Sequence, residues 1–133
     1  MNIHKSAEDY LEQILMLHEQ KGYARSIDIA TGLSVSKPSV SFAMKQLREN
    51  GYITMDKDNY ISLTDKGMDI ASAIYARHKA LTTFLTRLGV DPVVAREDAC
   101  KLEHDISGET FDAIRRYIED GEENGEERIE KRE

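Results

Sequence analysis

The sequence predicts a mostly α-helical chain interrupted by one β-hairpin, and three observations carry that prediction. Apolar residues recur at helical spacing along most of the 133 positions. Serine, threonine and proline stand where helices should begin, and glycine where they should end. A turn-forming cluster, "DKDN", separates two short β-prone runs, "YITM" and "YISL".

Each element follows in order. From Ser6 to about Gln20, Tyr10, Leu11, Ile14, Leu15 and Leu17 form an apolar stripe. Ser6 is the expected N-cap, Glu8 and Asp9 suit the positive end of the helix dipole, and Gly22 closes the helix. A short helix capped by Ser26 and closed near Gly32 comes next, then a tight turn through Leu33–Val35. A longer helix is expected to start at Ser36, with Pro38 in its first turn, and to stop at Gly51. Ala30, Leu33, Val35, Val40, Ala43, Met44 and Leu47 supply one buried face. After the hairpin, Thr64 caps a long helix that ends at Gly89. Helices over about Pro92–Asp105 and Ser107–Asp120 follow. The tail "EDGEENGEERIEKRE" has 8 acids and 3 bases with almost nothing apolar, so it is expected to be solvated and frayed or disordered.

Composition narrows the function classes. No apolar run approaches the roughly 20 residues that span a bilayer, and the opening "MNIHKSAEDY" lacks the apolar core of a signal peptide. A single cysteine cannot staple the fold, so a reducing cytoplasm is the expected setting. The net charge of -7 disfavours a generic polyanion binder. The charge is uneven, however. Residues 1–66 hold 8 Lys/Arg against 9 Asp/Glu, whereas residues 67–133 hold 10 against 16. Any nucleic-acid surface therefore belongs to the first half.

Helix, short helix, tight turn, longer helix and hairpin is the order of a winged helix-turn-helix, here followed by an α-helical domain. In that architecture the second helix of the turn motif enters the major groove with its N-terminal residues, and the wing rides on the backbone. The leading turn is "SKPSVS". Ser36, Ser39 and Ser41 offer hydroxyls to phosphates or base edges, Lys37 supplies charge, and Pro38 offers an apolar face to a thymine methyl. Ser26, Lys45 and the wing-tip Lys57 complete the candidate DNA contacts. Such small polar residues imply modest direct readout, with DNA shape contributing heavily. The partner read from the residues is double-stranded DNA. A helical core with no nucleic acid is the bland alternative.

The stretch "ACKLEHDIS" carries Cys100, Glu103 and His104 at i, i+3, i+4, one face of a helix. Thiolate, carboxylate and imidazole at this spacing can converge on one ion. Asp9 and Glu12 repeat the spacing at i, i+3, and His78 lies midway along the long helix. From spacing alone the question stays open: Cys100 can equally be a small buried hydrophobe, and the others solvated or packing residues. His4 and His18 lack such a grouping and are read as surface residues.

At this point the sequence resembles the family of metal-dependent repressors that includes the diphtheria toxin repressor and the manganese transport regulator. "SAEDYLEQILML" is similar to the family's first helix, "GYARSIDIATGLSVSKPSVSFAMKQLRENGYI" to its helix-turn-helix, and "ISLTDKG" to the exit from its wing. "YARHKALTTFLTRLGVD" and "EDACKLEHDIS" are similar to the helices that carry its metal ligands. The resemblance covers about residues 5–120. It implies a winged helix-turn-helix DNA-binding domain over 1–71 and an α-helical metal-binding and dimerisation domain over 72–120, with the acidic tail at 121–133.

The resemblance further implies a divalent co-repressor metal, repression of metal uptake and homeostasis genes, and operator binding as a homodimer. Asp9, Glu12, His78, Glu103 and His104 fall on its ligand positions. Cys100 falls where iron-type sensors carry cysteine and manganese sensors carry glutamate. The pattern is mixed, because Asp9 matches the manganese type. Mn(II) and Fe(II) are the first expectations, with Co(II) and Zn(II) behind them. Thr82 and Arg96 stand where the iron-type ancillary site needs glutamate and histidine, so that site is expected to be absent in that form. The dimer surface is expected around Ile106–Ile118, with Phe111, Ile114 and Ile118 as an apolar stripe that could instead be core.

Two other classes fit parts of the sequence. One is a winged-helix regulator that dimerises but senses no metal. The other is a small zinc enzyme on Cys100, Glu103 and His104, which would need an open coordination position and a shaped pocket, and no loop looks long enough to form one. The expectation is a regulator with no enzymatic activity, no membrane association and no small organic substrate.

Overall fold

The computed structural model describes residues 5–132, with side chains described for residues 5–121. Six helices and one hairpin appear in the order α1 (Lys5–Lys21), α2 (Ser26–Leu33), α3 (Lys37–Glu49), β1 (Ile53–Met55), β2 (Ile61–Leu63), α4 (Asp65–Arg87), α5 (Pro92–Asp105) and α6 (Gly108–Arg132). The chain divides into two compact units, residues 1–75 and 76–133, with the division inside α4.

The first unit is built around one apolar core. Leu11, Ile14 and Leu17 of α1 meet Ile29 and Ala30 of α2, Val40, Met44 and Leu47 of α3, and Ile53, Ile61 and Ala71 beyond them. Of the expected apolar face, Val35 departs: it is exposed, because the turn that follows α2 carries it outward. That turn is made by Ser34 in the left-handed conformation (φ 54°), and Val35 N–H donates to the Ala30 carbonyl. The helix thus ends at Leu33, one residue past Gly32, and the turn at Ser34 falls within the expected Leu33–Val35.

Caps explain the boundaries. Ser36 Oγ accepts from Ser39 N–H, and Pro38 occupies the first turn of α3, where a missing N–H is harmless. Ser26 is not a cap. Arg25 holds the N-cap position of α2 with no side-chain capping bond, and Ser26 is already helical. Lys5 and Ser6 are helical too, so Ser6 is not the N-cap of α1. Thr64 caps α4 as expected, accepting from Gly67 N–H at 3.2 Å while its hydroxyl donates to the Gly51 carbonyl.

In the wing, β1 and β2 pair antiparallel with Ile53 opposite Leu63, Thr54 opposite Ser62 and Met55 opposite Ile61. Asp56 Oδ1 accepts from both Asp58 N–H and Tyr60 N–H, and Asn59 takes the left-handed conformation (φ 65°). His18 is not a plain surface residue: its Nε2 lies 2.8 Å from the Ile61 carbonyl and ties α1 to the wing. His4 lies outside the described residues.

In the second unit, Leu81, Ala95 and Ala99 are fully buried. Asp91 caps α5, accepting from Val93 and Val94 N–H, with Pro92 in its first turn. Arg77 Nη2 donates to the Ile106 carbonyl at 3.1 Å, and its guanidinium lies over the Phe111 ring. The helix α6 runs to Arg132, past the end expected near Asp120. This corrects the expectation of a disordered tail for the backbone up to Arg132. The segment holds no proline, and Glu, Lys and Arg are good helix formers that continue a helix already nucleated by its first turns.

Candidate metal centre and nucleic-acid interface

The buried stripe of α5 runs Ala95, Ala99, Glu103, so an apolar helix face ends in a carboxylate. The Glu103 side chain is 0% exposed. A charge taken wholly out of water requires partners; Oε2 of Glu103 has a hydrogen-bond partner, whereas Oε1 is buried with an imidazole nearby but in no hydrogen bond. Oε2 is 3.1 Å from His78 Nδ1, and Oε1 is 3.2 Å from His104 Nε2. His78 reaches it from the middle of α4, where Thr82 Oγ1 donates back to the His78 carbonyl at 2.8 Å. His104 is itself almost fully buried in the last turn of α5.

Cys100, one turn before Glu103 and His104, is exposed rather than buried, which removes its reading as a small core hydrophobe. Ligand atoms of His78, Cys100 and Glu103 all lie within 4.8 Å of one another. Such a group can hold a transition-metal dication, and its donor set of imidazole, thiolate and carboxylate fits one. His104 Nε2 stands near the second oxygen of Glu103, but His104 is not among the described residues whose ligand atoms gather within 4.8 Å. Asp9 and Glu12 belong to the first unit, on one side of α1; Glu12 is buried and Asp9 half-buried.

In the first unit, α3 presents Ser36, Lys37, Pro38, Ser39, Ser41 and Lys45 to solvent, and Lys57 is exposed at the wing turn. Ser36 is partly committed, since its hydroxyl both caps α3 and donates to Ser39 Oγ at 2.8 Å. Ser26 is half-buried. Two exposed residues escaped the sequence reading. Phe42 is 65% exposed on α3. Arg25 stacks over the Tyr60 ring and donates to the Asp58 carbonyl, which fixes it beside the wing. The signal for Phe42 was its spacing of i+4 from Pro38, on the face opposite Val40, Met44 and Leu47; nothing local marked Arg25.

A winged helix-turn-helix in one unit and a buried carboxylate set among histidines and a thiol in the other define a DNA-binding regulator equipped with metal-ligating residues. The chain belongs to the iron-dependent repressor family. Residues 2–60 match that family's N-terminal DNA-binding domain, and residues 64–129 match its metal-binding and dimerisation domain. It is 38% identical over 125 residues to the HTH-type transcriptional regulator MntR of Bacillus pumilus (strain SAFR-032), covering 94% of this chain and 87% of that protein. Among solved structures it is similar to the IdeR of T. acidophilum, with a TM-score of 0.77 and 25% identity, over 89% of this chain and 55% of that one. It is likewise similar to the manganese regulator SloR, with a TM-score of 0.74 and 32% identity, over 90% of this chain and 55% of that one. The chain spans about half the length of these two structures.

Proposed function

We propose that this chain is a metal-dependent transcriptional repressor that binds operator DNA as a homodimer, takes a divalent metal as co-repressor, and controls genes of metal uptake and homeostasis. The single observation that carries the metal reading is the buried Glu103 carboxylate, set between two histidines with the Cys100 thiolate in reach. That arrangement disfavours the alternative of a winged-helix regulator that senses no metal. The regulatory family also supports the reading that the chain catalyses no reaction of its own. No described helix is long and apolar enough to cross a membrane, and a regulator of genes works where the DNA is, in the cytoplasm.

His78, Cys100, Glu103 and His104 are proposed ligands, with Asp9 and Glu12 added because they match the family's ligand positions. When bound, the ion supplies two positive charges that offset the clustered carboxylates and thiolate. Mn(II) is favoured by similar solved structures named as manganese regulators and by the carboxylates, whereas Cys100 favours Fe(II), Co(II) or Zn(II). Metal occupancy and operator affinity are thermodynamically linked, so each must tighten the other by the same factor.

On the DNA side, Lys37, Lys45 and Lys57 neutralise phosphates, while Pro38, Ser39 and Ser41 face base edges. Ser26 and Ser36 are proposed as further backbone contacts. A dimer presents two copies of α3, whose spacing must match half-sites about 34 Å apart or a multiple of that. Leu88 and Tyr117, the most exposed large apolar side chains among the described residues of the second unit, extend the stripe of Ile114 and Ile118 and support a dimer surface there.

The test is duplex binding with Mn(II), Fe(II), Co(II) or Zn(II), measured anaerobically at fixed salt, because salt alone shifts such affinities. The duplex is one enriched from a randomised pool by the metal-loaded chain. Affinity is expected to rise at least about tenfold with the cognate metal, a coupling of ordinary allosteric size. Binding that ignores both metal and chelator would overturn the metal reading.

A further inference from the structure

We propose that Phe42 is a specificity-determining residue, which with Pro38 reads thymine methyl groups in the major groove; this rests on the DNA-binding reading above. The helix α3 buries Val40, Met44 and Leu47. At about 100° per residue, the opposite line of the helix runs through Pro38, Phe42 and Lys45. Phe42 is the most exposed large apolar side chain described in the first unit. What singles it out is its place: it shares the outward line of α3 with Pro38, so a groove that receives the start of α3 meets both.

On one side Phe42 borders a groove with Ser6, Ala7 and Tyr10 of α1; the cations of α3 lie on its other side. Lys37, Lys45 and Arg48 are all exposed along the same helix, and they complement the phosphates that border a groove. The only apolar group that the major-groove edge offers is the C5 methyl of thymine, and phenylalanine is among the side chains that suit it. Pro38 and Phe42 are separated by about 6 Å along the helix axis, four residues of 1.5 Å. That is close to two base steps of about 3.4 Å. The pair therefore fits two methyls roughly two steps apart in each half-site.

The probe is the tightest duplex enriched from a randomised pool with Mn(II), with each thymine replaced singly by deoxyuridine, which removes only the methyl. At the positions that face the pair, the parent chain is expected to lose about fourfold in affinity, the worth of one buried methyl. Phe42→Ala should bind the unmodified duplex about tenfold more weakly, a loss of base-contact size, and should no longer respond to deoxyuridine at one of those positions. Phe42→Leu should keep that response. Circular dichroism checks that both variants fold. If Phe42→Ala matches the parent in affinity and in its deoxyuridine profile, the assignment is wrong, and Phe42 serves some protein contact instead. If the parent enriches no duplex at all, the DNA-binding reading falls and the assignment with it, a result distinct from the first.

Discussion

His78 Nδ1 lies 3.1 Å from Glu103 Oε2, across 25 positions of sequence, and the Glu103 carboxylate it meets is entirely out of water. The contact joins the middle of α4 to the last turn of α5 and places an imidazole, a carboxylate and the nearby Cys100 thiol in one cluster. Most of the chemistry proposed for this chain depends on that relationship.

Cys100 is the proposed ligand on which metal preference turns. Replacing its soft thiolate by a harder oxygen donor, Cys100→Glu, should move selectivity from Zn(II) and Co(II) toward Mn(II) by on the order of tenfold. Competition titrations of the two metals on parent and variant check this. An unchanged ratio would remove Cys100 from the ligand set.

Ser36 holds the start of α3 through its bond to Ser39 N–H. Ser36→Ala should cost about 1 kcal/mol of stability, the usual worth of an N-cap. Urea unfolding at fixed metal concentration measures it. A loss near zero would mean that Pro38 alone sets the helix start.

Gly67 lies in the first turn of α4, where alanine would ordinarily favour the helix by about 1 kcal/mol. Here a Cβ would collide with the Tyr52 backbone carbonyl, which cannot swing aside as a side chain would. Gly67→Ala is therefore expected to destabilise, by about 2 kcal/mol. The sign of the change in urea midpoint decides between propensity and crowding.

The Tyr75 phenol is pushed above its ordinary value, first by burial, then by its hydrogen bond to Glu19 and the negative charges of Glu19 and Glu12. The folded state thus favours the neutral phenol. Its contribution to stability is whole below pH about 10, the unfolded value, and is lost as pH rises through the higher folded value. An ultraviolet difference titration should show one of the six tyrosines ionising late. Glu19→Gln should bring that titration back toward the usual range.

Much of the fold was readable because local signals agreed with tertiary needs. Ser36 and Pro38 marked the start of α3, Pro92 that of α5 and Thr64 that of α4, and all four stand where the chemistry of helix starts requires them. Ser26 misled because a residue able to cap need not do so when the chain enters the helix one residue earlier, at Arg25. The acidic tail misled because charge and low hydrophobicity say nothing against continuing a helix already formed. At the site, the spacing of Cys100, Glu103 and His104 on α5 was visible. The place of His78 was legible only through the family resemblance, since no local pattern links residues 25 apart. The tether from His18 to Ile61 was hidden for the same reason.

The most direct test of the central claim compares Glu103→Gln with the parent chain. Glutamine keeps the shape of the buried side chain and removes the charge that makes it a strong ligand. The measurement is duplex affinity with and without Mn(II), at fixed salt, on protein shown by circular dichroism to be folded. The parent should tighten by at least about tenfold on adding metal, and Glu103→Gln should stay near the metal-free parent value. A folded Glu103→Gln protein that tightens on metal as much as the parent does would contradict the assignment of Glu103 and its cluster as the sensing site.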